Sequence, residues 1–252
     1  MSVVGDGLRS AVAAVTFLTA IPLGRSTDVA GRDLRGGLVL FPVIGAVIGA
    51  LMAATAWAAA LVMPPLPAAV LGVAAGTIVT AAIHLDGLAD TADGVGAALA
   101  GRDPAEVMHD PRLGTFGGAA LAFDVLLKVS VLSGLAAGPR FPVEAIAAGA
   151  LARAAAIALI ATFPYAGSSS GAGDWTRSVT VGRCLVGVAV ACAIAILAAG
   201  WAFTAMAGAC LIVTVVVGRW SRHRLGGVTG DTLGAAAELT ETLALTVALA
   251  VR

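Results

Sequence analysis

The residue types able to do chemistry are densest in the stretch His84-Leu85-Asp86-Gly87-Leu88-Ala89-Asp90-Thr91-Ala92-Asp93-Gly94. Asp86, Asp90 and Asp93 are spaced i, i+4, i+7, which sets three carboxylates on one face of a helix. Such a stripe repels itself, and a divalent cation removes the conflict. Mg²⁺ takes hard oxygen ligands and fills its remaining positions with water or substrate phosphate. The spacing therefore predicts a Mg²⁺ edge for phosphate chemistry; the plainer alternative is a solvated acidic helix end. Gly87, Gly94 and Gly96 remove side chains where a substrate or a second backbone must approach. His84 precedes Asp86 by two residues and points away from the stripe on an ideal helix. It could contact phosphate, carry a proton or cap the preceding segment.

A second cluster runs Met108-His109-Asp110-Pro111-Arg112-Leu113-Gly114-Thr115-Phe116-Gly117-Gly118. Pro111 stops the segment before it, and the glycines leave backbone N–H groups open at the start of the next helix. With Arg112 and Thr115 beside them, these groups suit an anionic phosphate, or the cluster is a glycine-rich turn that lets helices pack. Further charges lie inside apolar runs: Asp124 and Lys128 at i, i+4, then Arg153, Glu238 and Glu241. Ionisable groups there are costly in lipid and face a bundle interior or a wet cavity. Asp124 and Lys128 read either as an internal ion pair or as part of the site. Arg153 lacks a partner nearby in sequence, which marks it for substrate phosphate. Asp231 and Glu238, seven apart on a helix thinned by Gly230 and Gly234, read as a second carboxylate face aimed at the same cavity. Gly45 and Gly49 form a GxxxG-like pair expected to serve helix packing.

These groups need elements to hold them, and composition says which. The 252 residues are 59% hydrophobic and 12% charged, against about 45–50% and about 25% in soluble domains. The natural solvent of such a chain is lipid. Apolar runs are continuous rather than alternating, so they read as helices and not as barrel strands. Cys184, Cys192 and Cys210 lie inside these runs, spaced for neither a disulfide framework nor a metal knuckle. Net charge is zero, which gives no electrostatic basis for binding nucleic acid.

The expectation is one all-α integral membrane catalytic domain over residues 1–252, a polytopic bundle of about six to eight membrane helices. Candidate spans are 9–23 (short, with an interfacial or re-entrant segment as the alternatives), 38–62, 68–85, 115–137, 142–163, 183–199, 201–217 and 233–251, with the pair around Gly200 either a hairpin or one bent element. The first segment has the charge-then-apolar order of a signal peptide but no small-x-small cleavage site, so it is read as part of the mature protein. Alternating spans put connections 63–67, 138–141 and Gly200 on one side, with Arg140 and Arg252. The other side takes 24–37, 86–114, 164–182 and 218–232, with Arg25, Arg32, Arg35, Arg102, Arg112, Arg177, Arg219, Arg222 and Arg224. Excess Arg marks the cytoplasmic side, so the chemistry is expected at the cytoplasmic face.

Taken in order, these motifs resemble the cobalamin synthase, or adenosylcobinamide-GDP ribazoletransferase, family. The resemblance rests on Phe17-Leu18-Thr19-Ala20-Ile21-Pro22, Phe41-Pro42 with Gly45, the His84–Gly94 string, and Arg112-Leu113-Gly114-Thr115-Phe116-Gly117. Lys128, Arg153 and Gly230-Asp231-Thr232-Leu233-Gly234-Ala235-Ala236-Ala237-Glu238 complete it; Asp124 does not map onto the pattern. It implies a Mg²⁺-dependent enzyme of the inner membrane that joins adenosylcobinamide-GDP to α-ribazole, or its 5′-phosphate, and releases GMP, with the lipid bilayer as its setting. On that reading Asp86, Asp90 and Asp93 hold one or two Mg²⁺ ions, Asp231 or Glu238 is a candidate to complete the shell, and His84 or a carboxylate takes the proton. Arg112, Gly114, Thr115, Lys128, Arg153, Asp231 and Glu238 meet substrate. A homo-oligomer is left open. Asp90-x-x-Asp93-Gly94 is also similar to part of the acidic motif of CDP-alcohol phosphotransferases, without its Asp-Gly-x-x-Ala-Arg continuation. A phosphatidyltransferase and a membrane transporter are the rival readings.

Overall fold

The computed structural model describes residues 3–21, 23, 31–138, 141–167 and 174–251; Pro22, Arg25, Pro139, Arg140 and Arg252 lie outside the described residues. The described chain is helical, as the continuous apolar runs require. Its helices are α1 (Val3–Leu18), α2 (Gly31–Gly37), α3 (Phe41–Ala60), α4 (Pro65–Val79), α5 (Ile83–Leu99) and α6 (Pro104–Met108). They continue with α7 (Thr115–Ala136), α8 (Glu144–Thr162), α9 (Val181–Ala199), α10 (Phe203–Leu225) and α11 (Gly230–Ala250).

Five helical stretches among the described residues are long and apolar enough to cross a bilayer, or six if α4 and α5 count as one bent span. One of the five, Val181–Leu225, has 45 residues, far more than a single crossing needs. Packing shows why. Cys184 and Val188 of α9 meet Ile157 and Ile160 of α8, while Ala195 meets Ala145 and Ala148. Met206 of α10 shares that second cluster, and Val213 and Val217 lie against Ala155 and Leu159. The two halves run along α8 in opposite directions, so the stretch is a hairpin. Its turn is Gly200, whose φ of +56° suits glycine.

Two expected spans are different. The 9–23 segment is α1, with 16 residues, too short to cross alone. The 68–85 run does not continue as one helix: α4 ends at Val79 and α5 leaves it at 90°. Thr80 Oγ1 donates back to the Gly76 and Thr77 carbonyls, and Ala81 and Ala82 both take positive φ, +50° and +57°. Left-handed alanines cost about 1–2 kcal/mol each, so tertiary packing imposes this bend. α5 therefore lies across one end of the bundle, level with the polar connections before α3, between α8 and α9 and between α10 and α11. The short connections α3–α4, α7–α8 and α9–α10 share the opposite end, as the alternation predicts.

The central contact is α3 against α8. A Cβ on Gly45 would land on the Gly149 carbonyl oxygen, one on Gly149 on that of Gly45, and one on Gly49 on that of Ala145. The GxxxG-like pair thus serves packing. Gly49→Leu is expected to cost at least about 1–3 kcal/mol by overpacking. Thermal unfolding in detergent checks this, and an unchanged midpoint would refute the close approach.

Candidate active site

The acidic stripe is a helical face: α5 places Asp86, Asp90 and Asp93 one turn apart on successive turns. Its glycines each admit a different neighbour. A Cβ on Gly87 would lie 2.7 Å from the Asp231 carbonyl oxygen, so α5 crosses directly over the start of α11. Gly94 admits Met108 of α6 and Trp220 of α10, and Gly96 admits the Phe116 ring of α7. The α11 end is fixed by a capping box, with Thr229 N–H donating to Thr232 Oγ1 and Thr232 N–H to Thr229 Oγ1. That holds Asp231 in the first turn, where the helix dipole favours a carboxylate.

Asp86 and Asp231 line one pocket of about 230 Å³ together with His84 and Arg153. Asp90 feels all its acidic neighbours. Burial first, then the charges of Asp86, Asp231 and Asp93, push its carboxyl up to about 6, while His109 pulls the other way. This is the frustration expected of the stripe, with Asp231 as an added member.

Asp93 has a further role. Its Oδ2 accepts from Gly114 N–H at 2.7 Å and its Oδ1 from Gly117 N–H at 2.8 Å. The open N-terminus of α7, expected to hold a phosphate through Gly114 and Thr115, is thus capped by a carboxylate of the same protein. A Cβ on Gly114 or Gly117 would collide with that carboxylate, which explains both glycines. Arg112 is exposed at the rim and forks onto Asp110, Nε to Oδ1 at 2.9 Å and Nη2 to Oδ2 at 2.6 Å. This pairing holds the Asp110 carboxyl down at about 2. Both flank an open cavity of about 480 Å³ that also touches Asp93, Gly114 and Thr115.

Among the described residues, no three His, Cys, Asp or Glu side chains draw close enough to hold an ion by themselves. Asp93 is engaged on α7. Asp86, Asp90 and Asp231 still offer hard oxygens at one rim. That suits a cation completing its shell with water and substrate phosphate.

The charges inside the spans form a separate buried network. Lys128 Nζ pairs with Glu238, with Asp124 Oδ2 at 3.4 Å and with Glu241 Oε1 at 3.5 Å. Arg153 Nη1 donates to Glu241 Oε2 at 3.0 Å, and Thr242 Oγ1 donates to Asp124. Three expectations change here. Lys128, expected to meet substrate, is held by those three carboxylates and does not line the larger pocket. Arg153 has a partner, 88 residues away in sequence. Glu238 turns to Lys128 rather than to the pocket of Asp231. His84, Lys128, Arg153, Glu238 and Glu241 border a cavity of about 20 Å³, room for about one water. Among the described residues, only His84 and Arg153 touch both this cavity and the larger pocket.

Sequence reasoning gave Glu241 no role of its own. It also missed Phe17, Phe41, Trp175 and Thr176, which wall the larger pocket. For Glu241 the signal was its place one helical turn after Glu238. For Phe17 and Phe41 the signal was their place in two of the motifs that carry the family resemblance; for Trp175 and Thr176 no local signal existed.

A family model described as cobalamin-5-phosphate synthase matches residues 10–249. Proteins named adenosylcobinamide-GDP ribazoletransferase are similar over nearly the whole chain. That of Azorhizobium caulinodans is 38% identical over 239 residues, covering 91% of this chain and 90% of its own. That of Klebsiella pneumoniae strain 342 is 36% identical over 245 residues, covering 94% and 98%. That of a Roseiflexus species is 35% identical over 243 residues, covering 96% and 87%. No solved structure matches.

Proposed function

The chain belongs to the cobalamin-5-phosphate synthase family, and from that premise we propose that it transfers α-ribazole, or its 5′-phosphate, to adenosylcobinamide-GDP with release of GMP. The observation that carries the reading is the crossing of α5 over the start of α11, which sets Asp86 and Asp231 beside one pocket, with Asp90 on the same face of α5 and within reach of both charges. A ribose hydroxyl oxygen attacks the phosphorus borne by the cobinamide. Its proton passes to a carboxylate of the rim or to His84. The bond from that phosphorus to the bridging oxygen breaks, and its electron pair departs with GMP. Phosphoryl transfer asks mainly for positioning and charge stabilisation, and a rim of this kind provides both. Mg²⁺ held by Asp90 and one rim neighbour, Asp86 or Asp231, with water and substrate phosphate as its other ligands, would supply neutralising charge to the diphosphate. Asp93 positions: by fastening α7 to α5 it sets the wall that carries Arg112.

The chain sits in the cytoplasmic membrane with the α5 end toward the cytoplasm, a reading supported by Arg102, Arg112, Arg219, Arg222 and Arg224 at that end. The transporter reading loses its support, since Lys128 is paired with Asp124, Glu238 and Glu241 and Arg153 with Glu241, beside a cavity with room for about one water. The test is GMP release from adenosylcobinamide-GDP by the protein in lipid nanodiscs, with Mg²⁺ and with or without α-ribazole. Release that requires both is expected; release independent of α-ribazole would overturn the transfer.

The pH dependence follows from Asp90. The ligand form is its carboxylate, which predominates above about pH 6 and is lost below. Protons and metal compete for it. The Mg²⁺ concentration for half-maximal turnover should therefore rise as pH falls through 6, by about tenfold per unit, and level off above about pH 7. A half-saturation independent of pH between 5 and 7 would exclude Asp90 from the metal.

A further inference from the structure

The 230 Å³ pocket has two unlike halves. One carries His84, Asp86, Arg153 and Asp231. The other is aromatic: Phe17 and Phe41 stack with centroids 5.9 Å apart and planes at 19°, and Trp175 stands edge-on to both, at 5.8 and 5.9 Å. Leu18, Ile83, Ile160 and Leu233 complete an apolar lining. Within this wall Trp175 Nε1, Thr176 Oγ1 and Arg153 Nε are buried without a hydrogen-bond partner among the described residues. Trp175 and Thr176 are 7% and 6% exposed. A buried donor left unpaired costs about 1–3 kcal/mol, and native structures seldom keep several such groups together unless something else meets them.

The size and lining choose among the parts of the two substrates. Ligand pockets for drug-sized molecules run about 300–1,000 Å³. At 230 Å³ this one admits a bicyclic ring and not a corrin macrocycle. Guanine has polar groups along most of its edge, and a wall of Phe, Leu and Ile would leave several unpaired, at a cost. A benzimidazole-type base presents a hydrocarbon ring and a single unsubstituted ring nitrogen, an acceptor. That matches an apolar slot with a few unpaired donors. We propose that the aromatic half receives the planar base of the nucleoside acceptor. Seating the base opens Trp175 Nε1 or Thr176 Oγ1, both closed off in its absence, to donate to the ring nitrogen, and the ribose lies toward Asp86 and Asp231. This rests on the ribazole-transfer reading and assigns the half of the site that selects the acceptor.

The full chain in nanodiscs, with both substrates varied in a GMP-release assay, tests it. Trp175→Phe retains a ring and removes the donor; Thr176→Val removes the other; Ala156→Leu fills the pocket from α8. The Trp175 or the Thr176 variant should raise KM for α-ribazole about threefold to tenfold, and Ala156→Leu should raise it further. KM for adenosylcobinamide-GDP should not move. A rise confined to adenosylcobinamide-GDP would assign the pocket to guanine and overturn the proposal, as would unchanged constants for both substrates in all three variants. If the wild-type protein releases no GMP, the ribazole-transfer reading fails. Equilibrium dialysis of α-ribazole alone then decides the pocket: weaker retention by Ala156→Leu and Trp175→Phe supports it, and equal retention by all forms overturns it.

Discussion

Replacing Asp90 with Asn lowers the rate of GMP release by about two to three orders of magnitude and leaves the thermal midpoint nearly unchanged. Asp90 lies at the centre of the acidic rim, since Asp86, Asp93 and Asp231 all act on its carboxyl. Asn keeps the shape and removes the charge, so on the proposed mechanism the variant loses a metal ligand and a proton acceptor without leaving a void. Asp93→Asn behaves differently. Its carboxylate accepts from two N–H groups of α7, whereas an amide offers one oxygen. That variant loses activity and also melts earlier, by about 1 kcal/mol of capping. Rates and midpoints measured on both proteins separate the roles. A near-normal rate for Asp90→Asn would remove the stripe from the chemistry.

The second large effect is on stability. Lys128→Met leaves Asp124, Glu238 and Glu241 buried with Arg153 as the nearest cation. Breaking one member of a buried ionic cluster costs about 3–5 kcal/mol, because the survivors keep uncompensated charge. The thermal midpoint in detergent should fall by roughly 10 °C. Adding Glu238→Gln to Lys128→Met should recover part of the loss, since it removes one stranded carboxylate. A midpoint within about 2 °C of the parent would mean that the network is not held as a unit.

Local patterns carried the features that depend on neighbours in sequence. The i, i+4, i+7 spacing made α5 a helix with an acidic face, and Gly45 with Gly49 announced a tight crossing. Features that depend on distant partners were not legible. Gly114 and Gly117 revealed open N–H groups, but not that the anion meeting them is Asp93. Arg153 looked solitary because Glu241 is far along the chain. The bend after α4 was hidden for another reason: Thr80, Ala81 and Ala82 contain neither glycine nor proline, so nothing local breaks the apolar run. Phe17, Phe41 and Trp175 are ordinary apolar residues until the fold stacks them.

The shortness of α4 has a consequence for α5. Its 15 residues rise about 22 Å, less than the roughly 30 Å of hydrocarbon in a typical bilayer. α4 alone therefore does not make a full crossing, and α5 leaves it at 90° instead of completing the span. The helix that would have lengthened a transmembrane rod becomes a crossbar, and its acidic face is turned across the end of the bundle.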